Sequence, residues 1–376
     1  MTGFPPDAHG QVTLANWRNP PFNRWAFHHV RELIPSAEIA NEPARVRELP
    51  RQSIGLPVGD LAATETDGLV VLHRGRIVYE AYGPGVDPEA PHILMSVTKS
   101  MLGLLAGILE GRGMLDAERP LTELVPELAA TAYRAATIRH LLDMRAGVAF
   151  AEDYLATSGP IIEYRRATGW SPLEPGAEPS DLRRFVQGLR DADGPHGGRF
   201  HYISPNSDLL GWVLERATGR RYADLLSEFL WRPIGAERSA YITLDRLGAA
   251  RAAGGMCVTT RDLARVGQLI AEGGGGIVPA AWIEDVLSGG DPAAWNAGSF
   301  VEYFPGLPMH YRSKWYVIRG RDPLLFGVGI HGQNLFIDRN SGIVIAKLSS
   351  QPLPLDAGRI ARTLSMVDAI RRQLAG

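Results

Sequence analysis

Strand-forming patterns lie at the two ends of this 376-residue chain, and helical patterns fill its middle. Residues 68–73 (Gly-Leu-Val-Val-Leu-His) and 77–82 (Ile-Val-Tyr-Glu-Ala-Tyr) flank a turn at Arg74-Gly75-Arg76, which reads as a β-hairpin. Strand character returns at 313–318, 324–330, 333–338 and 343–348, with Arg339-Asn-Ser-Gly342 as a turn, and a helix over about 357–373 closes the chain. From Leu115 to about Thr260 strand signals nearly vanish. Helical spacing is found there at 119–130, 137–144, 180–190, 207–218 and 222–230, then at 260–272 and 279–288. The terminal strands must therefore meet in one sheet, and the expected fold class is α+β/α: an antiparallel sheet flanked by helices, with an inserted, mostly helical domain. Residues 1–115 and 261–376 form the sheet domain in this reading, and residues 116–260 the insertion. Loops 147–178 and 191–203 exceed the ~12–15 residues at which a loop in a compact protein is usually functional or disordered. Residues 1–60 are rich in Pro, Asn and Arg, with Trp17, Phe22, Trp25 and Phe27 as anchors, and read as a wrap over the core.

One helix carries chemistry. After Ser96, apolar residues recur at Met101, Leu104, Leu105, Ile108 and Leu109, and Gly111 and Gly113 end the run. Ser96 and Lys99 are three apart, so on a helix their side chains share a face. A serine hydroxyl is a poor nucleophile until a neighbour takes its proton, and a desolvated lysine amine can do so. A serine in the first turn also lies near backbone N–H groups that helix geometry leaves unpaired, a ready site for an oxyanion. Composition sharpens the case. Of 39 basic residues only Lys99, Lys314 and Lys347 are lysine; where a plain positive charge would do, the chain has arginine, which does not give up its proton in a protein. Tyr202 precedes the helical pattern at 207–218, with Asn206 or Ser207 as N-cap. Next to a lysine it can act as a phenolate base or as a proton donor to a leaving group.

Several classes are excluded or disfavoured. A net charge of −2 gives no basic excess for nucleic acid. The single cysteine, Cys257, rules out an internal disulfide and a thiolate metal cluster. No apolar run approaches the ~20 residues that span a bilayer, and residues 1–10 lack the pattern of a secretory leader, so a cytoplasmic protein without membrane association is expected. There is no Gly-x-Ser-x-Gly, His-Glu-x-x-His, P-loop or Gly-x-Gly-x-x-Gly, and the ten histidines show no zinc spacing. No cofactor or metal is expected, and a monomer or homodimer that takes a small molecule is expected.

Taken together, Ser96-x-x-Lys99 before an apolar helix, Tyr202 before a Leu-Leu-Gly helix, and the late Gly-rich strand resemble, in content and order, the serine β-lactamase and penicillin-binding superfamily in its class C-like branch. Asn16-Trp17, residues 20–34, Leu142-Asp-Met-Arg-Ala-Gly147 and Glu152-Asp-Tyr154 add a likeness to the 6-aminohexanoate-dimer hydrolases and related carboxylesterases. The resemblance implies Ser96 as acylated nucleophile, Lys99 as its base partner and Tyr202 as third catalytic group. It implies backbone N–H groups of Ser96 and Ile330 as the oxyanion hole, with His331 or Gln333 in that place if the alignment slips. Tyr154 would contact the scissile group. By position, Trp170 in the same loop and His331 beside the Gly-rich strand either line the pocket or pack in the structure. Two departures matter. The usual Tyr-x-Asn reads Tyr202-Ile-Ser204, so Ser204 or Asn206 would replace that Asn. The usual Lys-Thr-Gly reads Gly327-Val-Gly329, which removes a carboxylate-binding cation. A hydrolase of small esters or linear amides is therefore expected, ahead of a β-lactamase or D-amino-acid peptidase, or a binding protein that has lost turnover.

Overall fold

The computed structural model describes Asp7 and residues 10–375, so most of the stretch read for a leader lies outside the described residues. In chain order the strands are β1 (Ser36–Ile39), β2 (Thr66–His73), β3 (Arg76–Tyr82), β4 (His92–Ile93), β5 (Ala240–Thr243) and β6 (Met256–Val258). The carboxy-terminal strands are β7 (Met309–Arg312), β8 (Trp315–Ile318), β9 (Leu324–Gly329), β10 (Gln333–Asp338) and β11 (Ile343–Ser349). A seven-stranded sheet has the order β3-β2-β11-β10-β9-β8-β7 with every pair antiparallel. The first hairpin thus lies beside the last strand, with Leu69 opposite Lys347 and His73 opposite Ile343. The fold is the antiparallel sheet flanked by helices that the two strand-rich ends require.

The hairpin closes as its sequence dictates. Arg74 and Gly75 both have positive φ, 49° and 78°, the two-residue turn whose twist matches the strands it joins. Ser313 and Lys314 turn β7 into β8 in the same way, with φ of 48° and 72°; the strand expected over 313–318 begins only at Trp315, and β7 was not expected at all. Alternate residues leave the sheet on opposite faces. Val70, Leu72, Leu335, Ile337, Val344 and Ala346 pack towards the helices Thr98–Gly111 and Thr260–Ala271. Leu69, Val71, Phe326, Phe336 and Ile345 pack towards the closing helix Ala357–Ala375.

The Thr98–Gly111 helix departs from the amphipathic expectation, because every residue from Thr98 to Leu109 is buried. It is wedged in the centre, and its glycines let neighbours close in. A Cβ at Gly103 would lie 2.1 Å from the Ser313 carbonyl oxygen, and one at Gly107 would lie 2.5 Å from the Trp282 ring.

A second, four-stranded antiparallel sheet, β1-β5-β6-β4, was not anticipated. Its strands are two to four residues long, too short to show a period of two. It ties β1 from the presumed wrap to segments on both sides of residue 115. Most of the helices expected in the middle of the chain form but are shorter, as at Ile138–Leu142 and Leu182–Gln187; a helix at Pro160–Ala167 interrupts loop 147–178. Loop 191–203 is pinned by Ala149 N–H on the Asp191 carbonyl and Asp193 N–H on the Gly147 carbonyl. Among the described residues no helix is long and apolar enough to cross a membrane.

Candidate active site

Ser96 sits where the two sheets and the buried helix converge. β4 leads into a single 3₁₀ turn, Met95–Val97, which passes directly into the Thr98–Gly111 helix. Leu94 N–H bonds the Met256 carbonyl and fixes the turn to the small sheet. On the other side the end of β9 presses on it: a Cβ at Gly329 would lie 2.6 Å from the Leu94 oxygen and 3.0 Å from the Ser96 nitrogen. Gly329 has an ordinary extended backbone (φ −128°), so glycine is needed there for space rather than conformation. Met95 is in the left-handed region (φ 45°) although buried and not glycine, a conformation that costs about 1–3 kcal/mol and that the packing must hold in place. Gly329→Ala is expected to push the turn aside and lower kcat/KM for ester hydrolysis by about a hundredfold, since a displacement near 1 Å can cost that much. Steady-state kinetics on variant protein with an unchanged circular dichroism spectrum checks this.

Lys99 is buried, and its amine reaches three oxygens: Ser96 Oγ at 2.9 Å, Ser204 Oγ at 3.1 Å and the Ala253 carbonyl at 2.7 Å. The direction of these bonds follows from the neighbours. Glu152 accepts from both Ser204 N–H (2.6 Å) and the Ser204 hydroxyl. That uses the only proton on Ser204 Oγ, so Ser204 accepts from Lys99, and a carbonyl can only accept. A neutral Lys99 amine has then donated both hydrogens, and its lone pair faces the Ser96 hydroxyl. Burial lowers the Lys99 pKa to about 7; Glu152 and Asp208 oppose that shift, while Arg251 adds to it.

The Ala253 carbonyl is held in place by a buried ion pair. Asp208 accepts from Ala253 N–H (2.8 Å), pairs with Arg251 and accepts from the Tyr164 hydroxyl. Capping was the expected role of this stretch. Instead Ser204 is the N-cap of the Pro205–Thr218 helix without a side-chain cap bond, and Ser207 Oγ is buried and unpartnered.

Tyr202 is buried beside Lys99, whose nitrogen lies 4.9 Å from the ring centroid. Its phenol lies near the side chains of Ser96 and Tyr154. Burial, and secondarily the Glu152 carboxylate, pushes its pKa well above the usual value, so it stays protonated. Tyr154 is half-buried beside Glu152 and is likewise shifted upward, first by burial and then by that carboxylate. Two spaces meet at Glu152 and Tyr154. The inner one, about 40 Å³, lies over Ser96 and is lined by Trp170, Ser204 and Ile330. The outer one, about 320 Å³, is lined by Tyr202, His201, Phe300, Tyr303 and Leu355.

Other residues singled out in the sequence lie elsewhere. Asn206 is fully buried and turned away: its side-chain oxygen accepts from the Tyr133 hydroxyl at 2.8 Å, and its amide meets Met144 Sδ. His331, in the left-handed region (φ 63°), donates from Nδ1 to the Gln351 carbonyl and packs on Phe27 without lining either space. The Gln333 amide donates to the Ser349 carbonyl. Trp170 donates its indole N–H to Thr243 Oγ1 at 3.1 Å, so it packs and lines at once. Gly327 cannot carry a longer side chain without a shift, since a Cβ there would lie 2.7 Å from Ser100 Oγ.

Glu152, Ala253 and Arg251 were not singled out from sequence as site residues. Glu152 belonged to the Glu-Asp-Tyr run that carried the resemblance; Ala253 acts through its carbonyl, which leaves no trace in side-chain identity. Away from this site, His28, Asp67 and His92 bring three possible ligand atoms within 4.8 Å of one another. Two of these groups already interact, His92 Nε2 lying 3.2 Å from Asp67, which also accepts from Ser350.

Comparison with known proteins identifies the family. Residues 58–367 match the family described as Beta-lactamase. The chain is 38% identical over 362 residues to the 6-aminohexanoate-dimer hydrolase of Paenarthrobacter ureafaciens, covering 93% of this chain and 91% of that protein. A solved structure from Bacillus anthracis, provisionally named 6-aminohexanoate-dimer hydrolase, superposes with a TM-score of 0.86 at 25% identity, covering 98% of each chain. A family VIII carboxylesterase shares the fold, with a TM-score of 0.59 at 17% identity over 81% of this chain and 91% of that one. The chain belongs to the beta-lactamase family and is a hydrolase built on that fold.

Proposed function

We propose that this chain hydrolyses small esters and linear amides through an acyl-enzyme on Ser96. The observation that carries the reading is the hydrogen-bond directionality at Lys99, which leaves the amine lone pair for the Ser96 proton. Lys99 takes that proton as Oγ attacks the carbonyl carbon. The negative charge on the carbonyl oxygen is received by the N–H groups of Ser96 and Ile330, the latter at the end of β9 beside the Ser96 turn. Tyr202, held protonated by burial, gives its proton to the leaving oxygen or nitrogen as that bond breaks, and recovers one from Lys99. Water then attacks the acyl carbon, losing its proton to Lys99, and Ser96 Oγ leaves as the hydroxyl. Tyr154, at the junction of the two spaces, contacts the scissile group.

Ser96 and Lys99 come from residues 1–115, Ser204, Tyr202 and Ala253 from 116–260, and Ile330 from 261–376. This supports the proposed division into a discontinuous sheet domain and an inserted one, with the site at their junction. With glycine at 327, β-lactam turnover is a minor activity at most. A panel of short 4-nitrophenyl esters, a linear ω-amino-acid amide and nitrocefin on one preparation tests the reading. Ester or amide kcat/KM should exceed that for nitrocefin by at least about tenfold; nitrocefin turnover equal to the best ester contradicts it.

A further inference from the structure

The inner space over Ser96 carries more positive charge than its own residues neutralise. Arg18, Arg165 and Arg251 all line it. Arg251 is neutralised by Asp208. Among the described residues Arg165 donates only to the main-chain carbonyls of Asp153, Tyr154 and Ala156 and forms no ion pair, although Asp153 and Glu152 are near enough to favour its charge. Arg18 is half-buried and, among the described residues, makes no hydrogen bond or ion pair; its guanidinium stands over the Trp17 ring, 5.7 Å from the centroid. The acid of this space, Glu152, is already engaged by the Ser204 N–H and hydroxyl. Burial, then the charges of Arg165 and Arg251, lower the Arg18 pKa to about 10, so an anion beside it would relieve an existing repulsion.

The two spaces also divide the substrate. Tyr202 lines the outer space and not the inner, whereas Ser96 and Ile330 line the inner and not the outer. On the acyl-transfer reading above, on which this inference rests, the leaving group departs into the outer space and the smaller inner one holds the acyl chain. We propose that Arg18 and Arg165 form an anion subsite for a carboxylate at the far end of a short acyl chain, so that the favoured substrates are mono-esters or mono-amides of short dicarboxylic acids. These two guanidiniums restore, from another direction, the cation lost where Gly327 stands.

The test uses two esters that differ only in whether the far carboxylate is free or methylated, 4-nitrophenyl hydrogen glutarate and 4-nitrophenyl methyl glutarate. Wild-type kcat/KM should favour the acid by about tenfold or more, the range expected of charge-assisted hydrogen bonds. In Arg18→Gln the ratio should fall to within about twofold of unity, and Arg18 makes no contact whose loss would unfold the chain. A wild-type ratio of one or less, or a ratio retained in Arg18→Gln, overturns the subsite. If neither ester is turned over, the acyl-transfer reading fails instead, and calorimetry with glutarate then decides the subsite alone. Binding weakened about tenfold or more by Arg18→Gln supports it, and no glutarate binding to wild type overturns it.

Discussion

Ser96→Ala is expected to lower kcat/KM for 4-nitrophenyl acetate by about 10⁴- to 10⁶-fold, the range in which nucleophile loss falls when the rest of a serine hydrolase site is intact. The substitution removes one oxygen from a half-buried position and leaves the turn between β4 and the buried helix unchanged. Lys99 keeps its bonds to Ser204 and the Ala253 carbonyl, so the amine stays in place. The small residual rate would come from the N–H groups and Tyr202 acting on bound water. Stopped-flow and steady-state assays on the same preparation measure both limbs. Loss of less than about tenfold would mean that another group accepts the acyl chain.

Lys99→Arg is expected to lower kcat/KM by about 10³- to 10⁴-fold, the upper range for loss of a general base, because a guanidinium has no lone pair to offer. Lys99→Met, similar in length and apolar, separates lost basicity from a buried charge that does not fit; both variants should be inactive, and a melting curve reports folding. The same group sets the pH dependence. Only the neutral amine accepts the Ser96 proton, and burial lowers its pKa to about 7. Activity should therefore be full above pH 7 and fall as pH drops through that value, tenfold per unit well below it. An ordinary lysine would place the rise near 10.4. A profile flat from pH 5 to 9, or acylation retained in Lys99→Arg, removes Lys99 from the role of base.

How much could be read from the sequence depended on the range of the signal. Ser96 and Lys99 are three residues apart across a 3₁₀ turn that runs straight into the helix, so local periodicity was enough to bring them together. Tyr202 required order along the chain and a resemblance, since nothing local ties it to Ser96. The choice between Ser204 and Asn206 was set by helix phase: two positions on, the side chain has turned more than half way around the axis, from Lys99 to Tyr133. Lysine scarcity proved a broader signal than expected. Lys314 and Lys347 are buried too, and burial lowers both, Lys347 to about 7. What distinguishes Lys99 is the serine oxygen at 2.9 Å.

The larger sheet was legible because its strands are long and β-branched, whereas the smaller sheet was not. β4 and β6 hold two and three residues, and their pairing spans more than 160 positions of sequence, from His92 to Val258. That sheet nevertheless anchors the Ser96 turn through Leu94. Glu152 illustrates a different limit. Its part is to accept the Ser204 proton, a role visible only once Ser204 and Lys99 are known to touch.

The most direct test of the central claim is mass spectrometry of the protein quenched during the burst with 4-nitrophenyl acetate, followed by peptide mapping. The account predicts a mass increase of one acetyl group on the peptide containing Ser96, with no such adduct in Ser96→Ala. An acetyl group on any other residue at full occupancy, or steady turnover with no adduct trapped in wild type or in deacylation-slowed mixtures at low pH, would contradict it.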